Sequence, residues 1–210
     1  FSPTQKLAVE RFSHFFFARQ EDGLFLLRGY AGTGKTSLVS AMVNALVALG
    51  YKVVLLAPTG RAAKVFSGYA GQPAFTIHKK IYRQKKADDG EGFFNLGFNG
   101  GTNTLFFIDE ASMISNADME GHFGSGCLLD DLVEFVYNGK SNRLVLVGDV
   151  AQLPPVGLNI SPALELEELE AAYCLKVTQV DLTDVMRQAE TSGILYNATE
   201  VRKVIGTGEE

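Results

Sequence analysis

Short apolar runs of strand length alternate along the 210 residues with longer stretches that carry a helical period. Residues 24–28, 52–57, 105–108, 143–149 and 177–182 read as strands. All but the last are apolar almost without a break, as strands covered on both faces are, rather than alternating with polar residues. Between them, Ser37 to Leu49 and Cys127 to Tyr137 read as helices, the second through Leu128, Leu129, Leu132, Val133 and Val136. Gly50 stands where a helix end takes a left-handed residue. A further helix begins at Arg61, and a last one spans 192–203. At the start, Ser2 is placed to cap a helix over 2–18, with Pro3 at its first position and Gln5 completing a capping box. Capping alone accounts for Gln5 at this level. Strands alternating with helices predict an α/β fold: a doubly wound, mostly parallel sheet with helices on both faces.

The breaks in the pattern matter as much as the runs. Pro58-Thr59-Gly60 ends the second strand, and Thr76-Ile77-His78-Lys79-Lys80 follows a second turn. In an open parallel sheet, the loops beyond the carboxyl ends of the strands carry the ligands. Residues there are ligand groups or simply solvated loop. From 83 to 103 the character changes: charged residues and glycines surround Phe93, Phe94 and Phe98. This stretch reads as an inserted hairpin, or a loop, lying outside the core.

The most informative stretch is Gly29-Tyr30-Ala31-Gly32-Thr33-Gly34-Lys35-Thr36, followed by Ser37. It lies between a strand and a helix and has the spacing of a phosphate-binding loop. Gly32 and Gly34 allow the backbone to curl so that successive N–H groups point at phosphate oxygens. The following helix adds the positive end of its dipole. Lys35 then reaches the β- and γ-phosphates and Thr36 reaches Mg²⁺. The pattern predicts binding of ATP or GTP.

Two later loops converge on the same chemistry. Residues 105–108 end in Asp109-Glu110, where one carboxylate can hold Mg²⁺ and its neighbour can orient or deprotonate an attacking water. The strand at 143–149 runs into Val150-Ala151-Gln152-Leu153-Pro154-Pro155-Val156-Gly157. The prolines stiffen that loop, and Gln152 is its polar residue best placed to sense a γ-phosphate.

Composition excludes more than it assigns. With 46% hydrophobic and 20% charged residues the chain has an ordinary globular balance. A net charge of −5 argues against binding nucleic acid through overall charge, but not against a local basic groove. No apolar run reaches membrane-spanning length, and the first residues carry no basic region of a signal peptide. Cys127 and Cys174 lack metal-ligand spacing, which suits a reducing cytoplasm.

Four signatures, at 29–36, 57–64 with 76–79, 108–113 and 147–157, resemble in order and spacing motifs I, Ia/Ib, II and III of the superfamily 1 DNA helicases. Gly148-Asp149-Val150-Ala151-Gln152-Leu153-Pro154-Pro155-Val156-Gly157 is most similar to the RecD-like (exonuclease V alpha subunit) branch, and residues 182–188 resemble its motif IV. The resemblance implies a RecA-like domain that hydrolyses ATP and moves 5′ to 3′ on single-stranded DNA. It implies that Gln5 reads adenine, and that Gly29, Ala31, Gly32, Thr33, Gly34, Lys35, Thr36 and Ser37 hold the nucleotide. Asp109 would coordinate Mg²⁺ with Thr36, Glu110 activate water, Gln152 link the γ-phosphate to DNA, and Arg187 serve as an arginine finger. Pro58, Thr59, Arg61, Thr76 and His78 would lie along the DNA track, and the 83–103 insert stands where relatives carry a strand-separating pin. A second RecA-like domain with motifs V and VI is implied as partner, with other repair subunits; nothing in residues 1–210 matches those motifs. The chain is accordingly expected to be the first motor domain of a longer protein. The competing readings are a nucleotide-dependent DNA-binding module without unwinding, and a P-loop phosphotransferase.

Overall fold

The structure, a computed structural model, describes residues 1–18, 23–85, 93–115, 123–153, 155 and 157–185. In chain order the elements are α1 (Pro3–Phe17), β1 (Gly23–Gly29), α2 (Lys35–Ala48), β2 (Lys52–Ala57), α3 (Gly60–Ala70), β3 (Ala74–Thr76), α4 (Ile77–Ile81), β4 (Tyr82–Lys85), β5 (Phe93–Leu96), β6 (Thr104–Ile108), α5 (Leu128–Tyr137), β7 (Arg143–Gly148), α6 (Leu166–Tyr173) and β8 (Lys176–Leu182). Short 3₁₀ turns occupy Ala111–Met113 and Pro162–Leu164.

Six strands form one sheet in the order β3-β2-β6-β7-β1-β8, with every pairing parallel. Successive side chains of a strand point to opposite faces, and here both faces are apolar. Phe25, Leu27, Leu55, Leu105, Phe107, Val145, Val147, Val180 and Leu182 pack against α1, α2 and α3. Their sequence neighbours Leu24, Leu26, Leu56, Phe106, Ile108, Leu144 and Leu146 pack on the other face against α4, α5 and the 3₁₀ turns. The unbroken apolar runs of the sequence thus become two cores separated by one sheet.

The topology positions the site. From β1 the chain crosses to β2, three places away in one direction, whereas β7 leads across β1 to β8 in the other. Loops leaving neighbouring strands therefore part to opposite faces at β1, opening a crevice at the carboxyl ends of the strands. Since every strand is parallel, the loops after β1, β2, β6, β7 and β8 share that edge.

At the N-terminus, Ser2 and Gln5 form the reciprocal capping box: the Gln5 N–H donates to Ser2 Oγ, and the Ser2 N–H to Gln5 Oε1, both at 3.2 Å. At the other end of α1 the Arg143 guanidinium donates to the carbonyls of Phe15, Phe16 and Ala18, and lies over the Phe15 and Phe16 rings. A helix C-terminus gathers negative partial charge, so a forked cation suits it.

Three findings depart from the pattern reading. Residues 76–80, placed after a turn with no element assigned, end the edge strand β3 and form most of the short helix α4. Helix α6 went unpredicted, although Leu166, Leu169 and Tyr173 hold its spacing. The insert is indeed an antiparallel hairpin, β4 with β5, but its root is not outside the core. Tyr82 is buried and donates to the buried Asp131 carboxylate at 2.6 Å, while Asn99 is buried and donates to the Phe135 carbonyl at 2.8 Å. These hydrogen bonds satisfy polar groups that burial would otherwise strand, and they seat the hairpin on α5. The helix expected at 192–203 lies outside the described residues.

Candidate functional site

The loop after β1 takes the shape its glycines permit. Gly32 and Gly34 have φ of 87° and 79°, in the left-handed region. Gly29 is needed for close approach: a Cβ there would come within 2.8 Å of Thr33 Oγ1 and 2.9 Å of Leu182 Cβ. Thr33, fully buried, donates its hydroxyl to the Tyr30 carbonyl at 2.8 Å and closes the loop. The loop then leads directly into α2 at Lys35.

Lys35 Nζ donates to the carbonyls of Gly29 (2.6 Å) and Tyr30 (3.0 Å), and lies 3.7 Å from the buried Asp149 carboxylate. Burial pushes the Lys35 ammonium below its ordinary range, opposed by the charges of Asp149, Glu110 and Asp109. Thr36 donates to Asp109 Oδ2 at 3.1 Å, and the Glu110 N–H donates to Asp109 Oδ1 at 3.0 Å. Burial pushes the Asp109 carboxyl up to about 6, against the hydrogen bonds from Glu110 and Thr36. Thr36 and Asp109 thus present oxygen donors side by side at the cavity wall, a set that fits a hard cation such as Mg²⁺. Glu110 itself adopts φ 57°.

These groups meet in one cavity of about 490 Å³, lined by Ala31, Gly32, Gly34, Lys35, Thr36, Ser37, Asp109, Glu110 and Gln152, with Val65 and Tyr69 of α3. Gln5 lies beside it rather than in it, buried, with Nε2 donating to the Thr33 carbonyl at 3.0 Å. Gly29 and Thr33 shape the loop without lining the cavity. Gln152 Oε1 accepts from Ser112 Oγ at 3.0 Å, so the loops after β6 and β7 are joined.

A second cavity of about 290 Å³ adjoins the first, sharing Thr36, Asp109, Glu110 and Gln152, and is walled by Thr59, Arg61 and Met113. A third, of about 250 Å³, contains Pro58, Thr59 and His78 with Tyr82, Met113 and Phe123. The His78 ring stands edge-on to Phe123 at 5.2 Å. Four of the five residues predicted for DNA are therefore spread over two linked cavities. The fifth, Thr76, caps α4 by accepting from the Lys79 N–H at 3.2 Å, and Thr59 caps α3 in the same way through Ala62. Arg187 lies outside the described residues.

Sequence reasoning passed over Asp149, Ser112, Tyr82 and Phe123. Asp149 had a signal, since it follows an apolar strand as Asp109 does; the aromatic pair had none, because Tyr82 and Phe123 meet only in the fold.

The sequence matches the AAA domain family over residues 1–203. The chain is 33% identical over 175 residues to the ATP-dependent RecD2 DNA helicase of Deinococcus radiodurans, covering 83% of this chain and 21% of that protein. In fold it is similar to the Pif1 helicase of Candida albicans, with TM-score 0.53 and 21% identity over 90% of this chain and 41% of that one. It is also similar to the Bacteroides Pif1 helicase in complex with ADP-AlF3 and ssDNA, with TM-score 0.53 and 18% identity over 95% of this chain and 46% of that one. The chain thus spans about a fifth of the length of its Deinococcus relative and under half of either Pif1 chain. By its matched family and its P-loop sheet, the chain belongs to the AAA domain family.

Proposed function

We propose that this chain is the first motor domain of an ATP-dependent DNA helicase that translocates 5′ to 3′ on single-stranded DNA. The observation that carries this reading is the pair of adjoining cavities. The phosphate loop, Asp109, Glu110 and Gln152 line one, and the same Asp109, Glu110 and Gln152 line the other beside Thr59 and Arg61. A group that touches both can report the state of a nucleotide to a DNA strand. The relative solved with ADP-AlF3 and ssDNA lends support, since it shares the fold.

In this reading the loop N–H groups and Lys35 hold the β- and γ-phosphates. Thr36 and Asp109 would hold Mg²⁺, which supplies charge neutralisation at the transferred phosphoryl group. Glu110, at the cavity wall, takes the proton from the hydrolytic water. Gln5 selects adenine, and Arg187 completes the γ-phosphate contacts. Pro58, Thr59, Arg61, Thr76 and His78 follow the strand, with the aromatic wall of the third cavity offering stacking surface to bases. A second RecA-like domain of the parent chain faces this edge, and nucleotide-driven closure of the two advances the motor. The β4–β5 hairpin serves as the strand-separating pin.

The test is ATP turnover by the parent chain with and without single-stranded oligonucleotide. Strong stimulation by DNA, lost in Lys35→Ala, supports the motor. Turnover indifferent to DNA would favour the phosphotransferase reading instead.

A further inference from the structure

The exit of β8 is tied to the start of α1 by a contact that neither the nucleotide chemistry nor the DNA track uses. Asp184 Oδ2 accepts from the Thr4 N–H at 2.9 Å and from the Thr4 hydroxyl at 2.7 Å. α1 has no acidic residue in its own first turn, where a negative charge would meet the positive end of the helix. Asp184 supplies that charge from 180 residues away.

The residues around this contact lead to the nucleotide pocket from two sides. Gln5, the next residue after Thr4, donates Nε2 to the Thr33 carbonyl at 3.0 Å and accepts at Oε1 from the Ser2 N–H at 3.2 Å. Each amide atom keeps a second hydrogen-bonding position, one N–H and one lone pair. Such a donor–acceptor pair matches the N6/N7 edge of adenine. On the other side, Leu182, two residues before Asp184, and Val185, directly after it, lie against the phosphate loop. A Cβ on Gly29 would stand 3.0 Å from the Leu182 carbonyl, and one on Gly32 would stand 3.6 Å from Val185 Cγ1. The Asp184 carboxylate therefore ties the capped start of α1 to a segment whose Leu182 and Val185 lie against the phosphate loop.

We propose that Asp184 is a positioning residue for base recognition, its carboxylate holding the first turn of α1 so that the Gln5 amide meets the nucleotide in register with the phosphate loop. This rests on the reading of Gln5 as the adenine-contacting residue. Asp184 itself touches no nucleotide in this scheme. Its place at a partly exposed helix start, outside both cores, separates it from the groups that fold the sheet.

The test compares two probes on the 210-residue chain, Mg·ATP and Mg·tripolyphosphate, which carries no base, by titration calorimetry. Gln5→Ala and Asp184→Ala should each weaken ATP about tenfold, the net loss expected for one neutral hydrogen bond to the base, and leave tripolyphosphate unchanged. Thr4→Val should shift the ratio in the same direction, whereas Thr4→Ser, which keeps the hydroxyl, should leave it at the wild-type value. Circular dichroism checks folding; if Asp184→Ala does not fold, Asp184→Asn with Thr4→Val reads the same contact. An unchanged ATP-to-tripolyphosphate ratio in the Asp184 and Thr4 variants, with Gln5→Ala altered, overturns the positioning role alone. Equal losses on both probes overturn it too, leaving a purely structural cap. An unchanged ratio in Gln5→Ala overturns the adenine reading and this inference together, and wild-type chain that binds neither probe overturns the nucleotide site itself.

Discussion

Asp109 and Glu110 are neighbours in the chain, and the fold treats them oppositely. Asp109 is 5% exposed, hydrogen-bonded on both oxygens and pushed up to about 6 by burial. Glu110 turns back in a left-handed conformation at the cavity wall. Its carboxylate is the group free to face a water beside the phosphates, so Glu110→Gln is expected to keep ATP binding and lower turnover by at least about 100-fold, the usual contribution of a general base. Nucleotide titration and steady-state hydrolysis check it, and undiminished turnover would remove Glu110 from that role. The same residue carries a conformational cost, because a Cβ at φ 57° is disfavoured. Glu110→Gly is therefore expected to raise stability by about 1 kcal/mol in urea unfolding while abolishing hydrolysis, since glycine relieves the strain but loses some of the gain to unfolded-state entropy. The sequence showed both carboxylates and their strand. It could not show which would be buried, because burial depends on β2, β6 and α2 meeting.

Helix α1 shows how one element is held at both ends by residues far away in the chain. Its N-terminus has the capping box that the sequence spells out, together with Asp184; its C-terminus rests on Arg143 at the start of β7. Lysine offers a point charge in place of a fork and stacks less well on Phe15 and Phe16. Arg143→Lys should therefore destabilise the chain by about 1–2 kcal/mol, measured by urea unfolding, as two or more carbonyl contacts weaken. The hairpin root invites a second test. In Tyr82→Phe the buried Asp131 carboxylate keeps the Ser125 N–H at 3.0 Å but loses the phenol. A cost of about 1–2 kcal/mol follows, with faster amide exchange in β4 and β5 than in the six-stranded sheet. Unchanged exchange in the hairpin would show that Tyr82 does not anchor it. The long apolar strands and α1, α2 and α5 were legible because each satisfies its own period. The three-residue strand β3 and the five-residue α4 are too short to show one, and the hairpin's seating depends on Asp131 and Phe135, whose partners lie 49 and 36 residues away in the chain.

The whole domain presents the carboxyl ends of six parallel strands as one edge, so a ligand bound there should stabilise all of it. Mg·ATP at about 100 times its dissociation constant is expected to add about 2.7 kcal/mol to unfolding free energy. Thermal unfolding should show the upward shift, with chelation by EDTA reducing it and Lys35→Ala removing it; a full shift in Lys35→Ala would place the nucleotide elsewhere. Among the described residues no helix is long and apolar enough to cross a membrane. By itself the sequence determined the sheet class, the phosphate loop and the carboxylate pair, since strand period, glycine spacing and capping are local properties that a few neighbouring residues settle. Only the tertiary structure decided what those parts do to one another: that Asp149 stands beside Lys35, that Ser112 joins Gln152, that Tyr82 seats the hairpin, and that Asp184 caps a helix 180 residues upstream. Those contacts arise from the order in which the strands line up, and strand order is fixed by packing two apolar faces at once, which no local pattern encodes.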